Sequence, residues 1–236
     1  MAIKYREAEE LRLTTRKNLA SSKENWQQFL TTASNTYKYS FSEQTLIFAQ
    51  FPKAKAVASF NVWSEKFGRR IRYNEKGIGL IDDTKPYPKM KYVFDISQSN
   101  RFRDVPQPYI WDLKDEYKQE VAISLSGDNK SIDEALSDLA ENTVDEMINS
   151  FSKELLNSKK DSAMLAGLDD DTIISEFRQL VADSVKYMTL KRCGLDTSLY
   201  MDDNAFENLN DFSELGITDI LGGAVSDISE QVLREI

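Results

Sequence analysis

Basic and aromatic side chains are concentrated in one stretch of the chain. From residue 35 to residue 103 they follow one another closely, in the order Tyr37, Lys38, Tyr39, Phe41, Lys53, Lys55, Trp63, Lys66, Arg69, Arg70, Arg72, Tyr73, Lys76, Lys89, Lys91, Tyr92, Arg101 and Arg103. Single-stranded nucleic acid binds to such a mixture, because cations follow the phosphates while aromatic rings stack on unpaired bases. The alternative is that the aromatic residues are core and the cations only keep a small domain soluble.

The residue types that are missing limit the chemistry further. The chain has no histidine and a single cysteine, Cys193. A His/Cys zinc site, a Ser-His-Asp triad and a Cys-His pair are therefore excluded, as is an internal disulfide. We predict a protein that is not an enzyme and that uses no metal or cofactor. An enzyme that pairs carboxylates with Mg²⁺ stays open as an alternative, since 39 residues are acidic.

Charge is divided unevenly along the 236 residues, whose net charge is -9. Residues 1–112 hold 19 Lys and Arg against 12 Asp and Glu, a net +7, whereas residues 113–236 hold 11 against 27, a net -16. Such asymmetry indicates that one part contacts a polyanion while the other is solvated or presents an acidic surface. The sequence has neither a signal peptide nor an apolar run of roughly 18 residues, so we expect a cytoplasmic protein with no membrane partner.

Helices are predicted on both sides of the basic stretch and at two places within it. Residues 2–19 favour helix, Ser21 or Ser22 can cap a second helix, and a third begins at Ser42 and ends before Pro52. Glycines, including the pair at 222–223, mark the breaks in the C-terminal half. The other helices are predicted near residues 61–67, 131–157, 169–191, 202–210 and 222–236.

Strands are predicted within the basic stretch. Alternation with a period of two begins at Arg69 and puts Arg70 and Arg72 on one face. Residues 74–77 supply a turn before the apolar strand at 78–81, so these two strands are predicted to form a hairpin. A short strand or an extended connection is predicted at residues 56–60, and a third antiparallel strand at residues 89–96.

Together these elements predict an α+β fold, with a small antiparallel sheet and flanking helices followed by an acidic, mostly α-helical part. We expect two domains, a nucleic-acid-binding domain at 1–112 and an acidic helical domain or extension at 113–236. The chain ends at Ile236 inside a helical pattern, which indicates a fragment of a longer protein; a natural helical terminus is the alternative.

Three segments of the chain resemble a known family. Residues 34–50 (SNTYKYSFSEQTLIFAQ), 58–63 (ASFNVW) and 68–78 (GRRIRYNEKGI) are similar, in order and spacing, to the N-terminal single-stranded-DNA-binding domain of ArdC-type antirestriction proteins. The similarity covers roughly residues 20–96. Residues 91–96 (KYVFDI), 192–196 (RCGLD) and 226–236 (SDISEQVLREI) resemble the N-terminal region of large proteins of conjugative elements, where helicase-like or methylase-like modules follow.

The resemblance implies a single-stranded-DNA-binding module of a mobile genetic element, which protects or handles the DNA transferred in conjugation. ArdC proteins can carry a His-Glu-x-x-His metalloprotease-like domain, which a chain without histidine cannot form. The acidic part has no counterpart in the short ArdC domain.

The candidate DNA-binding residues follow from this interpretation. We expect the cations of the hairpin to contact phosphates, three tyrosines to offer stacking faces, and three lysines to extend the path. The phosphate-binding residues are Arg69, Arg70, Arg72 and Lys76; the stacking residues are Tyr37, Tyr39 and Tyr73; the extending residues are Lys38, Lys89 and Lys91.

An alternative of another class rests on the acidic part. Its carboxylates could imitate DNA, so that the protein acts as an inhibitor or adaptor bound to a host restriction or defence nuclease, or to conjugation proteins. An ordinary solvated acidic surface would show the same composition.

Overall fold

Eight α-helices and five short strands form the fold within residues 2–82, 87–104, 107–127 and 130–236, which this computed structural model describes. The helices are α1 (Tyr5–Leu19), α2 (Lys23–Asn35), α3 (Phe41–Gln50), α4 (Lys118–Ser126), α5 (Ile132–Ser158), α6 (Asp170–Arg192), α7 (Thr197–Tyr200) and α8 (Leu215–Glu235). The strands are β1 (Val57–Ser59), β2 (Arg69–Ile71), β3 (Ile78–Asp82), β4 (Lys89–Asp95) and β5 (Ser99–Arg101). The predicted α+β class, with a small antiparallel sheet and flanking helices, is confirmed.

Serine hydroxyls fix the starts of α2 and α3. The Ser22 hydroxyl accepts the N–H of Asn25 at 3.2 Å, which confirms one of the two predicted caps. The third helix begins before Ser42, because Ser40 and Glu43 form a capping box in which each side chain accepts the other residue's N–H. Phe41 is thereby placed in the first turn of α3.

The main hydrophobic core joins the N-terminal helices to the C-terminal ones. Trp26, Phe29 and Phe41 are buried in one cluster with residues of α5, α6 and α8. The Trp26 indole N–H donates to the Ser184 hydroxyl of α6 at 2.9 Å. This cluster takes residues from both sides of position 112, so α2 and the acidic helices share one core.

Strands β2 to β5 form one long, interrupted hairpin. β3 pairs with β4, and further along the same two arms β2 pairs with β5, both antiparallel. β1 pairs with the other edge of β4, which gives the sheet order β1-β4-β3. Because β2 does not pair with β3, the hairpin predicted between them is wrong, whereas the predicted third strand, now β4, does pair antiparallel with β3.

Between the two ladders, the first arm (β2 and β3) has one residue more than the second arm (β4 and β5). Six residues lie between Ile71 and Ile78, but five lie between their partners Ser99 and Val93 on the opposite arm. The surplus is accommodated as in a bulge, with Asn74 in the left-handed region at a φ of 64°. Residues 74–77 therefore bend the first arm without reversing the chain.

A buried glutamine holds this bend to the opposite arm. The Gln98 side-chain amide donates to the Lys76 carbonyl at 2.9 Å, and its Oε1 accepts the Asp95 N–H at 2.9 Å. Asp95 is itself buried and accepts the N–H groups of Lys55 and Ala56, at 2.7 and 3.0 Å, just before β1. Gln98 therefore fixes the two arms to each other where the ladder is broken. Asp95 joins the end of β4 to the segment before β1.

Helix α8 begins at Leu215, so the glycine pair at 222–223 lies inside it, contrary to the predicted break. Gly222 permits a close approach, because a Cβ there would lie 2.2 Å from the Phe41 ring. A Cβ at Gly223 would meet no atom within 4 Å. The first glycine therefore serves the packing of α3 on α8, while the second faces open space.

Candidate nucleic-acid interface

Cations and an aromatic ring meet where β2 pairs with β5. We define the arginine patch as Arg70, Arg72, Phe102 and Arg103. The N–H groups of Phe102 and Arg103 both donate to the Gly68 carbonyl, at 2.9 and 3.2 Å, which places these residues beside the start of β2. The arginine patch is therefore built from both arms of the hairpin.

The Phe102 ring lies at the centre of the arginine patch. It is 38% exposed, and the Cζ atoms of Arg70 and Arg103 lie over it at 4.9 and 5.0 Å from the ring centroid. The ring quadrupole attracts cations at such distances. Arg70 and Arg103 are exposed, and neither has a carboxylate partner in the part of the chain that the structure describes. Two guanidinium groups are thus held beside one exposed ring.

Arg72 is positioned by a carboxylate. Its Nε and Nη2 groups donate to one oxygen of Glu75 at 2.9 and 2.5 Å, and Gln98 donates to the other oxygen at 3.1 Å. The hydrogen bond from Arg72, followed by that from Gln98, lowers the pKa of the Glu75 carboxyl. A phosphate at Arg72 would therefore compete with Glu75.

Arg69 has a different role from the other arginines. Its guanidinium is partly buried and donates to the Ser99 hydroxyl at 2.7 Å, to the Ser99 carbonyl at 2.9 Å and to the Gln107 side chain at 2.9 Å. These contacts tie β2 to β5 and to the segment after it. All three guanidinium nitrogens of Arg69 therefore donate within the protein.

Tyr73 and Lys76 lie on the bend after β2. Tyr73 is 94% exposed, and Lys76 is exposed as well. Lys76 also lines an open groove with Tyr92 and Phe94 of β4. Both residues are therefore available to a ligand beside the arginine patch.

Tyr39 packs inside the protein, unlike the other two predicted stacking tyrosines. Its hydroxyl donates to the Val57 carbonyl at 2.9 Å, and the ring contacts the hydrophobic cluster between the sheet and α3. Burial, with a further contribution from the Glu43 carboxylate, raises the pKa of Tyr39 to about 12. Through these contacts, Tyr39 packs α3 against the sheet.

The raised pKa makes a testable difference to stability at high pH. Above the usual tyrosine pKa of 10.0, the unfolded chain loses the Tyr39 proton while the folded chain keeps it. The free energy of unfolding should therefore fall as the pH rises from 10 towards 12. We expect Tyr39→Phe to cost about 1 kcal/mol at neutral pH, through the lost hydrogen bond.

Denaturant titrations of both proteins from neutral pH to above pH 10 would measure this difference. The difference in free energy of unfolding between the wild type and Tyr39→Phe should become smaller once the pH passes 10. A difference that is independent of pH would contradict the assignment.

Tyr37 and Lys38 line a second groove, of about 290 Å³, with Trp111 and two arginines from the C-terminal half. They lie in the turn between α2 and α3, and the Lys38 ammonium is 5.4 Å from the Tyr37 ring centroid. The predicted residues are thus divided between two surfaces, because this groove and the arginine patch have no residue in common.

Lys89 and Lys91 lie on β4, as predicted. Lys91 forms an ion pair with Glu43 of α3, so its charge is partly neutralised within the fold. Lys89 is exposed and stands opposite Asp82 in the ladder. These lysines belong to the three-stranded sheet, whereas the arginine patch lies on the two-stranded one.

Phe102 was not among the predicted site residues, and Arg103 appeared only in the wider basic stretch. The signal that would have found them is the sequence RFR at 101–103. It resembles the RRIR of residues 69–72 in its alternation of cations with apolar residues, but only the pairing of the two arms brings the segments together.

No family model, curated protein or solved structure matches the chain. Within the described ranges, no group of three or more cysteine or carboxylate side chains is arranged to hold a metal ion. No helix in those ranges combines the length and apolar character needed to cross a membrane.

Proposed function

We propose that this chain is a non-catalytic module that binds single-stranded DNA at the arginine patch. The observation that carries the proposal is the pair of exposed arginines, Arg70 and Arg103, which lie over the exposed ring of Phe102 and have no carboxylate partner among the described residues. Guanidinium groups suit phosphates because their planar N–H donors match phosphate oxygens.

The aromatic component favours a single strand over a duplex. Tyr73, 94% exposed, offers a ring on which an unpaired base can stack. Phe102, 38% exposed beside two guanidinium groups, offers a base the part of its ring that they leave uncovered. Each such stacking contact is worth about 1–3 kcal/mol and tolerates any base. In a duplex the base faces are covered, so a duplex would use the cations but not the rings.

The biological setting that we propose follows from the resemblance of residues 20–96 to ArdC-type domains. A cytoplasmic protein of a conjugative or other mobile element would use the arginine patch to hold or protect transferred DNA. Longer members of that class carry further modules, to which such a domain would deliver the strand.

Fluorescence anisotropy with a labelled strand of about 30 nucleotides, single-stranded and duplex in parallel, tests the proposal. Three or four neutralised phosphates would give a log-log slope of affinity against salt of about -2 to -3 on the single strand. We expect tighter binding to the single strand. Equal binding to both forms, or no binding, would contradict the proposal.

The acidic part favours a second candidate, an inhibitor that imitates DNA. Glu176, Asp183, Asp202 and Glu207 line one groove of about 300 Å³ near the end of α7. Burial is the main cause that raises the pKa of both Glu176 and Asp183. The test is whether the protein captures a restriction nuclease. Capture that is lost when Asp202 and Glu207 are changed to Asn and Gln would support this candidate. Capture that is unchanged in that variant would exclude this groove as the binding site.

A further inference from the structure

We propose that the groove between the α2–α3 turn and the C-terminal ends of α6 and α8 is a separate binding site for a nucleoside phosphate. Its cationic and aromatic lining comes from four separate parts of the chain, and the other two lining residues are the apolar Leu233 and Ile236. The cationic and aromatic residues are Tyr37, Lys38, Trp111, Arg192 and Arg234. A free nucleotide and a nucleotide within a strand both carry an aromatic base and a phosphate, which is the chemistry that this groove would bind.

Three cationic side chains, Lys38, Arg192 and Arg234, line the groove, although the whole chain carries -9. No carboxylate side chain is among the lining residues given for it. Arg234 pairs with Glu230 one turn earlier in α8, with its Nε at 2.9 Å. Lys38 and Arg192 have no carboxylate partner in the described residues, so their charges are available to an anion.

Arg192 is the best-positioned cation of the groove. It is the last residue of α6, where the negative end of the helix dipole favours a cation. Its Nη1 group donates to the Trp111 carbonyl at 2.6 Å, and its Cζ lies 5.0 Å from the Trp111 ring centroid. The guanidinium is partly buried, and these contacts hold it in one orientation while leaving the other N–H donors for a ligand.

The aromatic residues supply the second half of the chemistry. Tyr37 and Trp111 contribute rings to a groove of about 290 Å³, at the lower end of the size of small-molecule sites. A base that packs on these rings would place its phosphate near cations already seated beside them. The arginine patch shares no residue with this groove, so the inference does not depend on strand binding there.

Trp111 provides a specific optical signal for the groove. The other two tryptophans, Trp26 and Trp63, are at most 2% exposed, whereas Trp111 is partly exposed. A ligand in the groove should therefore change the emission of Trp111 alone. The variant Trp111→Phe should lose the response while it keeps the emission of the two buried tryptophans.

The experiment is a titration of the full chain with adenosine 5′-monophosphate, followed by tryptophan fluorescence. We expect saturable binding that Arg192→Gln and Lys38→Gln each weaken by about tenfold, since each removes a charged contact to phosphate. The matched control is Arg178→Gln, also on α6, whose guanidinium pairs with Asp145 outside the groove at 2.6 Å. It should bind as the wild type does.

Lys38→Gln keeps the proposal falsifiable if Arg192→Gln does not fold, because Lys38 is exposed and its ammonium lies beside the Tyr37 ring. Wild-type affinity in Lys38→Gln and Arg192→Gln would overturn the proposal, as would the absence of a saturable response. Inorganic phosphate and adenosine should each bind at least about tenfold more weakly than the nucleotide. Phosphate binding as tight as that of the nucleotide would reduce the site to an anion site and overturn the proposed ligand class.

Competition distinguishes the two sources of the ligand. If an unlabelled single strand displaces the nucleotide, the groove belongs to the path of the strand; if it does not, the groove binds free nucleotides. The variant Arg70→Gln/Arg103→Gln should bind the nucleotide normally. If the chain binds the nucleotide but not the single strand, the proposed function is therefore rejected while the nucleotide site in the groove stands.

Discussion

Replacing Arg70 and Arg103 together with glutamine is expected to weaken single-strand binding by about a hundredfold. Each arginine lies over the Phe102 ring without a carboxylate partner in the described residues, so its charge is available to a phosphate. A hydrogen bond to a charged group is worth about 1.5–3 kcal/mol, or at least about tenfold in affinity for each residue. The slope of affinity against salt should become shallower by about 1.4, because two phosphates are no longer neutralised.

The matched control is Arg6→Gln/Lys17→Gln, which removes the same two charges from exposed positions of α1. Anisotropy titrations of both double variants at several salt concentrations make the comparison. We expect the control to bind within about twofold of the wild type, since long-range charge effects are screened at physiological salt. If both variants lose the same affinity, general charge and not the arginine patch determines binding.

Gly222→Ala is expected to destabilise the protein by about 3 kcal/mol, the largest effect on stability that a single methyl group should have here. The new Cβ would lie 2.2 Å from the Phe41 ring, inside the core that joins α3 to α8. The ring must move to make room, and it packs edge-on against Phe29 at a centroid distance of 5.6 Å. The strain therefore spreads into the contact between α2 and α3.

The neighbouring glycine gives the control for this prediction. Gly223→Ala adds the same methyl group in the same helix, where no atom lies within 4 Å. It should stabilise the protein by about 0.5–1 kcal/mol, because alanine favours helix over glycine. Denaturant unfolding measures both changes, and similar stabilities of the two variants would contradict the packing of Phe41 on Gly222.

The local elements were predictable because their signals are local. The Ser22 cap and the helical spacing of Trp26 and Phe29 depend on residues a few positions apart, and the structure keeps them. The alternation around Arg70 and Arg72 likewise predicted a strand with these two arginines on one face, and β2 covers Arg69–Ile71. These local signals do not show which strand pairs with β2.

The misplaced hairpin shows where local reasoning fails. The residues at 74–77 are turn formers, and Arg72 and Glu75 do form a local bend. The chain does not reverse there because buried Gln98, more than 20 positions further on, binds the bend to the opposite arm. A side chain so distant in sequence leaves no trace in the pattern of residues 69–81.

The same long-range pairing created the part of the site that sequence reasoning missed. Phe102 contacts Arg70 only because β5 returns beside β2. Trp111 and Arg192 likewise reach the groove of Tyr37 and Lys38 only through the packing of α6 against α2. Sequence alone identified Lys38, Arg70 and Arg103 within the basic stretch but not Arg192, and the fold determined which aromatic rings lie beside these cations.

The most direct test of the central claim is to map where a strand touches the protein. A single strand that carries 5-iodouracil, irradiated in complex with the full chain, crosslinks to aromatic side chains that contact its bases. We predict crosslinks at Phe102 and Tyr73, identified by mass spectrometry of the peptides and lost in the Arg70→Gln/Arg103→Gln variant. Crosslinks confined to other aromatic residues, or unchanged in that variant, would contradict the arginine patch as the binding site.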